Sequence, residues 1–445
     1  MAFGIIKLAV NSRFTFLSRA ADSGVSLPAA RSFDAAIDDA LFSLAKHTPA
    51  RFPATHRRRE VSAMLRSLPL HLGGFGVHRH SWTFGQVGTL KVRALVRDFV
   101  DSYFPDLDAA AHLVAPVVLG AGDPMNLLHE FQPAFEYANS EDMNWAAIEE
   151  AKNTLMEHSA QLLLEHLFNH CGVPRAIWFR SEQFDGSGRF LVSPAERYQP
   201  PHLRLSREEY LVAFRQRLLL GPFDDLPMDN QPHGLCTCGN HPLVAYNEPY
   251  HLLDCNADAF HSHRHHEAAR VVLKSFLKQK IPTLPDFIHE PALHDADGRP
   301  TTLRADLAIS GPNMPYHAID VVVTNPSANC WRRDVTRNSL LENSNNMLPT
   351  DQMEARKRRV YRDTREVLDN EFVPFAIEAT GRVGHAASAF VDSVVPFPDI
   401  LRDRGFKPPI ATLQSQLGIA ITKVNAAMTL HRTRIAWLHR AAPVI

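Results

Sequence analysis

The sequence predicts a multidomain chain with a mainly α-helical N-terminal half, a small cysteine- and histidine-rich module, and then an α/β domain. Three observations carry that prediction. Helical patterning dominates residues 1–100 and returns at 145–168 and 206–220. Three of the five cysteines and seven of the 24 histidines fall within residues 233–266. Two strand-like segments, 303–309 and 316–323, each carry one aspartate and stand upstream of an amphipathic helix.

Size and composition bound the answer. At roughly 100–200 residues per domain, 445 residues accommodate two to four domains. A hydrophobic share of 45% with 21% charged residues excludes a mainly disordered chain. No apolar run approaches the ~18 residues of a membrane span, so none is expected. Five sparse cysteines do not make a disulfide framework and fit a reducing nuclear or cytoplasmic compartment. The first twenty residues read as an amphipathic helix. With Ser12, Arg13 and Arg19 and no acid before Asp22, they also fit a mitochondrial presequence.

Charge is unevenly distributed. Residues 101–150 hold ten acids and no lysine or arginine. The net charge of −1 is therefore −10 from that block and +9 from the remainder. A neutral total does not exclude a polyanionic partner.

The elements follow in order. Residues 1–100 are helical, with a Gly-rich breaker at 68–76. The acidic stretch precedes a long helical pattern at 145–168, and Pro200-Pro201 reads as a linker. Ser206 and Glu209 form a capping box opening a helix to about residue 220. A helix over 264–280 leads into a β-rich section at 287–325. A further helix over 351–370, a strand over 372–378 and a helical tail over 410–440 complete the pattern.

Cys236-x-Cys238 followed by His251-x-x-x-Cys255 offers three thiolates and one imidazole. Zinc takes four such ligands in a tetrahedron, and short paired spacings let each pair chelate from one turn. Four protein ligands leave no vacancy, so the expected Zn²⁺ is structural. His241 is the rival imidazole.

Asp306 and Asp320 lie on the two strand-like segments, joined by a Ser-Gly-Pro-Asn turn. A carboxylate in an apolar strand is costly unless it is paired or binds a cation. Two carboxylates on one hairpin suit Mg²⁺, and Mg²⁺ suits phosphodiester hydrolysis. Lys357 is the only lysine between Lys280 and Lys407. At about 100° per residue it falls within the arc of Met353, Val360, Thr364, Val367 and Leu368, with Tyr361 beside it. Arg358, Arg359, Arg362 and Arg365 fall on the opposite side, where they can track a phosphate backbone. Lys357 is therefore expected to face a buried anion. The same reasoning over 264–280 places His265 with Ala269, Val272 and Phe276, and Glu290 is a third acid before the first strand.

Taken in order, Cys236-x-Cys238, His251-x-x-x-Cys255, Arg264-His265, Glu290-Pro291, Arg304-Ala305-Asp306, Asp320, Lys357 with Tyr361, Phe372-x-x-Phe375 and Glu378-x-Thr380-Gly381 resemble the C-terminal half of certain non-LTR retrotransposon polyproteins. These carry a CCHC zinc motif and a restriction-enzyme-like endonuclease of the PD-(D/E)-x-K type. The family often displaces its catalytic lysine to a following helix, which accounts for Val322 two residues after Asp320. Residues 11–20 and 68–77 resemble the thumb that follows the reverse transcriptase palm.

The resemblance implies a restriction-endonuclease-like α/β domain over 263–405. Before it come a thumb-like region (1–100), an acidic helical linker (101–200) and a helix with the zinc module (201–262), and a helical tail (406–445) follows. It implies DNA, or alternatively RNA, as partner, and DNA nicking that primes reverse transcription. The expected catalytic set is Asp306, Asp320, Lys357, Tyr361, His265 and Glu290. The paired aspartates of a polymerase are missing. Neither Asp38-Asp39 nor Asp224-Asp225 has an aromatic residue two positions ahead, as the polymerase turn requires, so a polymerase partner would be supplied separately. The rival expectations are an inactive fragment that binds nucleic acid and an interaction module using the acidic block.

Overall fold

A computed structural model describes residues 23–44, 61, 65–77, 156–157, 160–191, 203–220, 236, 250–255, 260–281, 286–311, 314–332 and 349–441. The described chain mixes helix and sheet, with helix predominant and one small mixed sheet. The expectations for residues 1–20, 101–150, Pro200-Pro201, Asp224-Asp225, Cys238 and His241 lie outside the described residues. The chain divides into two compact units, residues 1–163 and 164–445. Among the described residues no helix is long and apolar enough to cross a membrane.

In the first unit, helix α1 (Ser23–Leu44) is pinned by an arginine from outside it. Arg66 is 1% exposed and reaches Asp34 and Asp38 at 2.8 Å each. A buried guanidinium needs this many acceptors, because desolvation costs more than one pair returns. Asp38 thus lies in a helix, bound to Arg66. The Gly-rich segment after Arg66 folds into a tight turn that buries Phe75 and Val77. A Cβ on Gly74 would stand 2.1 Å from the Leu68 carbonyl oxygen, so only glycine fits there.

In the second unit a π-helical segment, Leu167–Cys171, precedes helices α2 (Val173–Ser181) and α3 (Arg207–Arg217). The capping box at the start of α3 is formed as expected, with Ser206 Oγ accepting from Glu209 N and Glu209 Oε2 accepting from Ser206 N. The helix over 260–280 has three parts. A turn at Phe260–His263 enters a π-helical segment, Arg264–Arg270, which continues as α4 (Val271–Lys280). A π segment winds more loosely than an α-helix and marks functional sites more often than chance.

Six strands follow: β1 (Asp286–His289), β2 (Ala292–His294), β3 (Pro300–Arg304), β4 (Leu307–Gly311), β5 (Met314–Thr324) and β6 (Phe372–Glu378). Strands β1, β4, β5 and β6 form one sheet in that order, and β2 and β3 form a separate hairpin. The β1–β4 and β4–β5 pairs are antiparallel; β5–β6 is parallel. Parallel neighbours need a crossover, and α5 (Pro349–Val360) lies in the connection between them. Helix α6 (His385–Val394) follows β6, and α7 (Pro409–Ala441) ends the described chain.

The strand expected over 303–309 is two strands. Ala305 N still donates to Pro291 O on the hairpin side, at 3.1 Å, whereas Asp306 N donates to Ile319 O of β5, at 3.0 Å. The chain changes sheets between those two residues, so Asp306 stands at the junction. The helix expected over 351–370 also stops early, at Val360, and a short helix resumes at Arg365–Leu368. Val360 and Leu368, expected in the core, are 55% and 60% exposed. The inward stripe of α5 is instead Thr350, Glu354, Lys357 and Tyr361, which keeps helical spacing with polar residues.

Period-2 alternation divides β5. Ile319, Val321 and Val323 enter the main core with Leu273 and Phe276 of α4, Val391 of α6 and Leu417 of α7. Ala318 faces the other way, into a smaller cluster with Leu293, Tyr361 and Phe372. Asp320 shares that face. The C-terminal helix, expected as a tail, is a wall of the core. It passes so close to Gly381 (φ +98°) that a Cβ there would stand 2.3 Å from Gly418 Cα.

Candidate metal centre

The register that pairs Leu307 with Ile319 brings Asp306 and Asp320 to neighbouring positions on adjacent strands. Asp306 is fixed on three sides. Its Oδ2 accepts from Val321 N at 2.8 Å. Its Oδ1 lies 3.1 Å from His265 Nε2 and 3.6 Å from Arg270 Nη1. Asp320, 5% exposed, is met by Lys357 Nζ at 2.7 Å. The lysine arrives from α5, and its ammonium also lies 5.8 Å from the Tyr361 ring centroid.

The two carboxyls are driven apart electrostatically. Burial pushes Asp320 up, against the pull of Lys357. Burial acts on Asp306 in the same sense, but the His265 hydrogen bond, the Val321 N–H and Arg270 outweigh it and hold its pKa below the usual range. Burial and the charges of Asp320 and Asp306 push Tyr361 up to about 12, so its hydroxyl stays a donor. Opposed shifts in neighbouring carboxyls are the pattern of sites that divide ligand and proton-handling roles.

The other expected residues separate into two groups. His265 comes to Asp306. Glu290 stays at the rim, its side chain 59% exposed and 3.5 Å from Arg270. Arg304 Nη1 donates to the Glu290 carbonyl at 2.9 Å. Arg358, Arg359, Arg362 and Arg365 all face solvent. His266 and Arg270 were not anticipated. The donor atoms of His265, His266 and Asp306 lie within 4.8 Å of one another. Their signal was the His-His dipeptide, but a regular α-helical wheel points its second member away.

A second group, Cys236, His251 and Cys255, also has donors within 4.8 Å and can bind a metal. The two sulfurs are 3.4 Å apart, near the ~3.8 Å of thiolates sharing a tetrahedral ion. His251 opens a short turn, and Cys255 N donates back to His251 O at 3.0 Å, which puts both side chains on one side. The turn is held from behind. Arg432 of α7 donates to the Leu252 and Cys255 carbonyls, the latter at 2.6 Å, and Arg264 donates to Leu253 O at 3.0 Å. Tyr250 stacks on Trp178 of α2 at 4.3 Å.

No protein-family profile and no curated protein matches this chain.

Proposed function

We propose that this chain is a retroelement-derived, metal-dependent DNA endonuclease of the restriction-enzyme-like class, with a structural zinc knuckle and no polymerase centre of its own. The observation that carries the proposal is the convergence of Lys357, from the crossover helix, on Asp320 at 2.7 Å, beside Asp306. Three residues spread over about fifty positions meet at the two inner strands of the sheet, on a polar stripe where a core helix would bury apolar side chains.

The residues present fit a divalent ion. Asp306 is half-buried, its pKa is held below the ordinary carboxylate range, and imidazoles lie close by. A bound ion there would polarise a phosphate oxygen and acidify water. Lys357 would turn from Asp320 toward the charge that builds on the phosphate. Tyr361, kept protonated, would donate to the same oxygens. As water bonds to phosphorus, the bond to the 3′-oxygen breaks, leaving a 5′-phosphate and a 3′-hydroxyl. The exposed arginines of α5 and the turn after it would hold the flanking backbone. Cys236, His251 and Cys255, with Cys238 as the fourth ligand, would hold Zn²⁺.

The test is plasmid nicking by the full chain with Mg²⁺ or Mn²⁺. Asp306→Ala and Lys357→Ala should each lose about 10²–10³-fold in rate, as when one charge-stabilising group is removed. Equal nicking by all three proteins would end the assignment. Their shared inactivity with intact DNA binding would favour an inactive nucleic-acid-binding fragment.

A further inference from the structure

We infer that His265, His266 and Asp306 form a nitrogen-rich divalent site, so that this centre takes an imidazole-accepting transition ion in preference to Mg²⁺. The inference rests on the endonuclease reading for its role in cleavage, and on geometry alone for binding. Magnesium sites of nucleases are built from oxygen. Here the second carboxylate, Asp320, is engaged by Lys357, and the donors gathered around Asp306 are two imidazoles. Imidazole donors shift preference from magnesium toward first-row transition ions.

The distances suit an ion. Two ligands at right angles on an ion with ~2.1 Å bonds stand about 3.0 Å apart. His265 Nε2 and Asp306 Oδ1 are 3.1 Å apart, with a proton now between them. A cation taking the place of that proton, which leaves to solvent or to Nδ1 of the same ring, would convert the hydrogen bond into two coordinate bonds with little movement. The His266 ring lies 4.6 Å from that of His265 and nearly perpendicular to it, at 88°. Its Nδ1 is buried and has no hydrogen-bond partner, an arrangement that costs free energy unless something fills it.

The π segment explains how adjacent residues can serve one ion. Its looser winding brings consecutive side chains closer in direction than the ~100° step of an α-helix. Arg270, one turn on in the same segment, competes for Asp306 from 3.6 Å, yet it already holds Glu290 and can stay there when a cation arrives.

Manganese alone is the probe, added to the zinc-loaded full chain and followed by electron paramagnetic resonance. The expected result is one bound Mn²⁺ per chain whose spin echo carries the ¹⁴N modulation of coordinated imidazole. Mg²⁺ at tenfold excess should leave most of it bound. His265→Gln with His266→Gln should erase the modulation and bring Mn²⁺ affinity down to that of Mg²⁺. His266→Gln alone, which leaves the His265–Asp306 bond in place, should weaken the modulation in a folded protein. Bound Mn²⁺ without nitrogen coupling, coupling that survives the double substitution, or displacement by equimolar Mg²⁺ would each overturn the inference. The two readings fail separately. Imidazole-coupled Mn²⁺ with no nicking removes the nuclease and keeps the site. Nicking with Mg²⁺ and no coupling removes the site and keeps the nuclease.

Discussion

The two metal-capable clusters are built by opposite means. In the Cys236–His251–Cys255 cluster the cysteines are 3% and 2% exposed, and the backbone carrying His251 and Cys255 is held by arginines that grip its carbonyl oxygens. Nothing in that grip depends on the ligands' own charge. Around Asp306 side-chain charge does much of the placing: His265 is met by Asp306, Asp320 by Lys357 and Glu290 by Arg270. The first arrangement suits an ion that stays. The second can be rearranged by the arrival of a cation or a phosphate.

Arg264 joins the two. It is fully buried, donates to Leu253 O and Asn425 Oδ1, and stands immediately before His265. Burial brings its pKa down to about 10, still charged at neutral pH. If the knuckle positions the π segment, chelating zinc should lower nicking about 10-fold, the scale of losing a group that orients a ligand. Arg264→Met should do the same with zinc still bound, measured by metal analysis beside the nicking rate. An unchanged rate in the zinc-free protein would show the clusters to be independent.

A smaller effect belongs to the polar stripe of α5. The Glu354 carboxylate accepts from Ala386 N and Ala387 N, at the start of α6. Burial nonetheless pushes its pKa from the ordinary 4.5 up to about 7. The folded state therefore holds this proton more tightly than the unfolded chain. That contribution to stability is complete below pH 4.5 and is lost as pH rises through about 7. Thermal melts of wild type and Glu354→Gln, compared across that window, should show the variant's melting temperature changing less with pH. Parallel curves would place the proton elsewhere.

How much of this was legible depends on the residue. Strand β6 could be read to the residue because its apolar run is bounded by polar turns, and the start of α3 because its capping box is local chemistry; its end, expected near residue 220, comes at Arg217. Lys357 was legible as an oddity, a lone lysine on a face its neighbours bury. Its helix departs from a regular apolar wheel because Thr350, Glu354 and Tyr361, rather than Val360 and Leu368, turn inward. The junction at Asp306 was not legible, since a change of pairing partner leaves no trace in a single strand's alternation. Arg264 and Arg432 were hidden for a related reason. Both are almost fully buried among carbonyls contributed by distant segments, and composition alone assigns arginine to the surface.

The smallest expected effect lies on the solvent side of α5. Arg358 and Arg359 follow Lys357 directly yet are exposed, so one helix turns its lysine inward to Asp320 and two arginines outward to solvent. If they touch only backbone phosphates, Arg358→Ala with Arg359→Ala should weaken DNA binding several-fold, equally for all sequences. The salt dependence should also flatten, the slope of log K against log salt falling by up to about 2. Nicking at saturating DNA should stay near wild type, because neither side chain reaches Asp306 or Asp320. A loss of rate at saturation would mean that the arginines hold the phosphate being cut, and the division between the two faces of α5 would fail. An unchanged salt slope would move the DNA track off this helix altogether, leaving Lys357 as its only cation that meets the substrate.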